Sequence, residues 1–139
     1  MKKYLCLIGI FFIMITAFLS GCQQGGTSTD ETLNNVYLES DVVELVYSEV
    51  NYNKDDYGVI LGIEVQYRFR NIADRTIDIN VYAEFYDKDD NLLTREGPKE
   101  ITIPEGWTEQ GTSPANIISY SGEKSSSVDY IEIVVEEKT

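Results

Sequence analysis

Histidine is absent from this 139-residue chain, and its two cysteines, Cys6 and Cys22, both lie near the N-terminus. Everything beyond Cys22 is therefore without an imidazole or a thiol. Ser–His and Cys–His nucleophile pairs and histidine-containing zinc sites are excluded there. No disulfide can staple that part either, so its stability rests on strand pairing and packing. Proline is scarce, and no glycine-rich phosphate loop is present, since Gly25-Gly26 lies in a polar tract outside any strand–helix context. Positive charge is short as well: 11 Lys and Arg against 24 Asp and Glu give a net charge of −13. Such a chain is repelled by nucleic acid and by anionic lipid headgroups, so any partner must offer a neutral or basic surface.

A long apolar run is also missing. The longest stretches from Leu5 to Leu19, about fifteen residues, where a spanning helix needs about twenty. With Lys2 and Lys3 before it, the run has the form of a secretory signal peptide over residues 1–21. It ends in Leu19-Ser20-Gly21-Cys22, which resembles the lipobox of bacterial lipoproteins. There the small side chains give a peptidase access and the thiol takes a diacylglyceryl group as a thioether. The resemblance implies lipidation at Cys22, and two acyl chains at ~0.8 kcal/mol per buried methylene suffice for stable anchoring. Residues 22–35 then form a polar tether, QQGGTSTDETLNN after the cysteine, with an r.m.s. span of about 20 Å. Loss of Lys2 and Lys3 with the signal leaves 9 basic against 24 acidic residues, a net of −15. The expected location is the extracytoplasmic face of a cell membrane.

From Val36 to Thr139 the dominant signal is period-2 alternation, with ten tyrosines in the whole chain and abundant β-branched residues. Ile63, Val65, Tyr67 and Phe69 alternate with Glu64, Gln66, Arg68 and Arg70. Ile77, Ile79, Val81, Ala83 and Phe85 alternate with Asp78, Asn80, Tyr82, Glu84 and Tyr86. Each segment has one apolar and one polar face, as in antiparallel sheets covered on one side. The connection Asn71–Arg75 reads as a hairpin between these two strands, and Asp87–Asn91 as a tight turn after the second. Further strands are expected at Val42–Tyr52, around Leu92, at Lys99–Ile103, at Ala115–Tyr120 and at Val128–Glu136. Lys54–Gly58, Pro104–Gly106 and Ser121–Ser127 read as loops. About seven strands in roughly a hundred residues predict an all-β, immunoglobulin-like antiparallel β-sandwich, with a small barrel as the competing architecture.

The run YRFRNIADRTIDINVYAEFYDKDDNLLTR resembles the FxLYD-type domain of bacterial surface lipoproteins, and the likeness extends from about Gly62 to the C-terminus. In that family a strand closes on an asparagine, an alternating strand follows, and an aromatic-Tyr-Asp step precedes a polar turn. Asn71, Phe85, Tyr86 and Asp87 stand in the matching places, and Ile103-Pro104-Glu105-Gly106 fits the family's later turn. Asp90-Asn91 departs from it, since family members often carry Gly after the Asp. The resemblance implies an immunoglobulin-like sandwich in an exported protein, and it implies no chemistry.

Candidate sites are few. Asp87-Lys88-Asp89-Asp90-Asn91 opens like a calcium-binding EF-hand loop, but its sixth and twelfth positions are Leu92 and Pro98 instead of Gly and Glu. No metal site or cofactor is expected. The carboxylates available to pair for glycoside hydrolysis fall mostly on solvent-facing positions such as Glu64 and Glu84, so enzymatic activity is not expected. Arg68 and Arg70 are expected to pair with Glu84 across a sheet. Tyr82, Tyr86, Trp107 and Tyr120, with Tyr130 nearby, form the candidate binding face, because exposed aromatics anchor protein partners or stack on sugars. The expected function is a non-enzymatic protein-binding or assembly module of the cell envelope, whose partner is another envelope protein. A sugar- or cation-binding lipoprotein is the alternative.

Overall fold

A computed structural model of the chain describes residues 35–111 and 113–138. The signal-peptide segment, Cys22 and all of the tether except Asn35 lie outside the described residues.

The described chain forms seven strands: β1 (Val36–Glu39), β2 (Val43–Lys54), β3 (Ile60–Asn71), β4 (Ile77–Tyr86), β5 (Leu92–Ile103), β6 (Ile117–Tyr120) and β7 (Tyr130–Glu137). Single 3-10 turns at Pro114–Asn116 and Ser125–Ser127 are the helical elements among the described residues. A four-stranded sheet runs in the order β1-β7-β4-β5, and a three-stranded sheet in the order β2-β3-β6. The two make a β-sandwich of the expected class.

Alternation decides which side faces in. Ile63, Val65, Tyr67 and Phe69 of β3 are buried, and so are Ile77, Ile79, Val81, Ala83 and Phe85 of β4. Because these strands belong to different sheets, their apolar faces form the two walls of one core. Ile118, Ile131, Ile133, Val43 and Ile103 close it from the other strands. Each large side chain so buried contributes about 1.5–3 kcal/mol before its entropy cost.

Three expectations are revised. The sheets are not wholly antiparallel: β1 runs parallel to β7, pairing Val36 with Ile131 and Glu39 with Val134. That strand is only four residues long, too short for alternation to mark it. The hairpins are β2–β3 and β4–β5, whereas Asn71–Arg75 is a crossing from one sheet to the other. Asn71 is the reason the crossing is sharp. Its buried Nδ2 donates to the carbonyls of Arg75 (2.8 Å), Ile103 (2.9 Å) and Pro104 (3.1 Å), and its Oδ1 accepts from the Ala73 amide (2.8 Å). Finally, Leu92 and Lys99–Ile103 belong to one continuous strand, which carries Pro98 on a sheet edge where the lost donor is tolerated. Gly97 (φ 120°) makes that possible, since a Cβ there would come within 2.8 Å of the Val81 carbonyl beside a register shift in β4.

The sandwich has two distinct poles. Asn35, the 55–59 and 87–91 turns and the 121–129 loop cap one of them, with Ser125 Oγ donating to the Ile60 carbonyl (3.1 Å). The 71–76 crossing and the Pro104–Trp107 turn cap the other, where the Trp107 amide donates to the Pro104 carbonyl (3.1 Å).

Asn71→Ala strips a donor from buried carbonyls and leaves them unpaired. It should lower the unfolding free energy by about 2–4 kcal/mol, read as a fall in urea midpoint at unchanged slope. A change under about 0.5 kcal/mol, the size of an ordinary surface substitution, would contradict this account of the crossing.

Candidate functional site

The outward face of the four-stranded sheet collects the aromatic residues. Since β4 buries Val81, Ala83 and Phe85, its next-door positions Tyr82, Glu84 and Tyr86 face out. β7 does the same with Tyr130, Glu132 and Val134 around buried Ile131 and Ile133. Register sets Tyr86 opposite Tyr130, and Glu84 opposite both Glu132 and Arg95. β1 adds Tyr37 beside Glu132.

The rings are held by one another. Tyr86 and Tyr130 stack with centroids 4.8 Å apart and planes 5° from parallel, and Tyr37 meets Tyr130 edge-on at 5.7 Å. Such pairs add about 0.5–1.5 kcal/mol beyond their buried area. Tyr86 donates its hydroxyl to Glu84 Oε2 (2.5 Å), and Tyr130 donates to Asp90 Oδ1 (3.2 Å). Arg95 lies over the Tyr82 ring at 4.0 Å and bridges Glu84 (3.2 Å) and Glu136 (2.6 Å). The face is thus a preorganised patch of four tyrosines and one arginine, rimmed by acids.

Charge shifts follow from these contacts. The hydrogen bond to Glu84, aided by desolvation, pushes the Tyr86 hydroxyl up to about 12. Desolvation first, then the bond to Asp90, raises Tyr130. The bond to Glu136 raises Arg95 further above its ordinary value. On the other sheet, burial and the nearby Glu109 carboxylate raise Tyr67, whose hydroxyl donates to the Ala115 carbonyl (2.8 Å).

Tyr82 and Tyr86 therefore belong to one face as expected, but Tyr120 and Trp107 do not join them. Tyr120 has the inward parity of its strand, two positions after buried Ile118, and packs on core Phe85 with centroids 5.4 Å apart. Trp107 follows the Pro104 turn at the opposite pole and is 64% exposed. The expected pairing of Arg68 and Arg70 with Glu84 also fails, because β3 and β4 lie in different sheets. Arg70 instead meets Glu44 (3.4 Å), while Arg68 covers Tyr47 and donates to the Gln110 carbonyl (3.3 Å). Tyr37 was not anticipated as a member of the face. Its signal was the short alternation Val36-Tyr37-Leu38-Glu39, legible only once that segment is known to pair.

The acidic turn is structural in its geometry. Asp87 Oδ1 accepts from the amides of Asn91 (3.0 Å) and Asp89 (2.9 Å), and the bonds from the Asn91 backbone and side chain chiefly hold its carboxyl below the usual range. Leu92 begins β5 and Pro98 lies within it, so the chain beyond the turn is a strand and not a coordinating loop. Among the described residues, no group of three or more acids is gathered closely enough to hold a metal ion.

The Tyr86 shift has a defined sign. Its phenol ionises later in the folded state, so its contribution is fully present below the ordinary value of 10.0 and is lost as pH rises toward about 12. Alkaline titration of ring-labelled tyrosine should find Tyr86 ionising near pH 12, and Glu84→Gln should bring it back toward 10.0. A Tyr86 midpoint that does not move in Glu84→Gln would contradict the assigned cause.

No protein-family model and no curated protein matches the sequence. Among solved structures, the chain is similar to the crystal structure of Campylobacter jejuni cj0090, at 17% identity and a TM-score of 0.45, over 76% of this chain and 99% of that one.

Proposed function

We propose that this protein is a lipid-anchored, extracytoplasmic lipoprotein whose sandwich acts as a non-enzymatic protein-binding or assembly module of the cell envelope. The observation that carries the binding reading is the Tyr37–Tyr130–Tyr86 cluster with Arg95 stacked on Tyr82. Tyrosine and arginine dominate the energetic centres of protein interfaces, and rings already fixed by stacking lose little entropy on binding. Glu84, Glu132 and Glu136 border the patch, which favours a partner with a basic or neutral rim. The lipobox-like Leu19-Ser20-Gly21-Cys22 and the resemblance to FxLYD-type lipoprotein domains support the envelope setting.

In-cell crosslinking of the lipidated protein, with Cys22→Ser and Tyr130→Ala as comparisons, tests both halves. One envelope protein should be enriched over Cys22→Ser. Tyr130→Ala should weaken its affinity for the purified sandwich by about 2 kcal/mol, roughly thirtyfold. Equal recovery from all three forms would sink the proposal, as would undiminished affinity in Tyr130→Ala.

A further inference from the structure

The pole that carries Trp107 holds a second feature, independent of the tyrosine face. A recess of about 470 Å³ opens there, lined by Pro104, Trp107, Glu109, Gln110, Ser113 and Asn116 among others. Its size falls within the range of about 300–1,000 Å³ usual for small-ligand sites. The recess lies at the far end of the sandwich from Asn35, where the described chain begins.

Backbone geometry puts an aromatic ring and a carboxylate on the same side of it. Residues 107–109 run along the end of β3: the Asn71 amide donates to the Trp107 carbonyl, the Glu109 amide donates to the Phe69 carbonyl, and Thr108 bridges to Arg70. Thr108 Oγ1 accepts from Arg70 Nε on the outer face (3.2 Å). Trp107, Thr108 and Glu109 all border the recess, and alternation along the extended segment gives Trp107 and Glu109 the same parity, opposite to that of Thr108.

Glu109 is fixed but not neutralised. Its Oε2 accepts from the Phe69 amide (2.8 Å), and the buried Asn116 donates to both carboxylate oxygens (2.9 Å each). Asn116 is itself held by Ser113 Oγ, which donates to its Oδ1 (2.6 Å). Among the described residues, no lysine or arginine makes an ion pair with Glu109, and no basic side chain lines the recess. A half-buried carboxylate with one acceptor position to spare thus lines the same recess as an indole that is 64% exposed.

We propose that this recess is a binding site for a small ligand bearing an ammonium group. Alternate positions of an extended chain are about 6.6 Å apart. An ammonium between them reaches the indole within about 6 Å and the carboxylate at about 2.8 Å. A neutral polyol would stack on Trp107 but leave the Glu109 charge uncompensated. The net charge of −13 also concentrates cations around the domain.

Trp107 is the sole tryptophan of the chain, so its emission reports directly on the recess. The full-length protein in detergent is titrated at constant ionic strength with methylammonium, cadaverine, glucosamine and glucose. The three ammonium compounds should give saturable changes with Kd on the order of 1 mM or tighter, and glucose should give none. Glu109→Gln keeps one oxygen to accept from the Phe69 amide and from Asn116, so the protein should stay folded while ammonium binding weakens by about tenfold or more. Trp107→Phe, followed by calorimetry, should weaken binding without abolishing folding. Saturation by glucose as strong as by glucosamine would replace the proposal with a sugar site. Absence of saturation by all of the ammonium compounds, or unchanged affinity in a folded Glu109→Gln protein, would overturn it.

Discussion

One buried amide organises this sandwich. At Asn71 the chain leaves the three-stranded sheet for the four-stranded one, and three carbonyls from the 75, 103 and 104 positions converge on its Nδ2. The same side chain accepts from the Ala73 amide, and its own backbone amide donates to the Trp107 carbonyl. The crossing, the end of β5 and the turn after it are thereby joined. With no disulfide available beyond Cys22, this polar joint does locally what a crosslink does in many exported domains. Hydrogen-bonded burial of this kind is costly to disturb because each orphaned carbonyl loses its water as well as its partner.

From that crossing the rest follows by parity. Once β3 and β4 present Phe69 and Phe85 inward from opposite sheets, every second residue of β4 and β7 must face out. Tyr82, Glu84 and Tyr86 are therefore positioned by the burial of Val81, Ala83 and Phe85, and Tyr130 by that of Ile131. A one-residue slip would exchange the core for the tyrosine face. This coupling fixes the backbone positions of the outer patch by the packing of the core beneath it.

The sequence revealed parts of this unequally, for physical reasons. Long alternating strands such as β3 and β4 announce themselves, and both buried faces were legible residue by residue. Pairing partners were not, because alternation gives the side that is buried and not the neighbour. Asn71–Arg75 thus reads as a hairpin, and Arg68 and Arg70 read as partners of Glu84 across a sheet they do not share. β1 escaped because four residues carry too little periodicity, and with it went the parallel pairing and Tyr37. Tyr120 looked exposed by its proximity to a loop, although its parity with Ile118 turns it onto Phe85. The joining of Trp107 and Glu109 on one side depends on pairing with the end of β3, a long-range contact that no local pattern encodes.

Native-state hydrogen exchange tests the joint most directly. The Ala73 amide, bonded to Asn71 Oδ1 at 2.8 Å, lies in a connection that would ordinarily open locally. The account predicts that it exchanges as slowly as the central β4 amides, through opening of the whole sandwich. If it instead exchanges as fast as the Gly58 amide in the 55–59 turn, the crossing is an ordinary loop and Asn71 does not hold the sheets together.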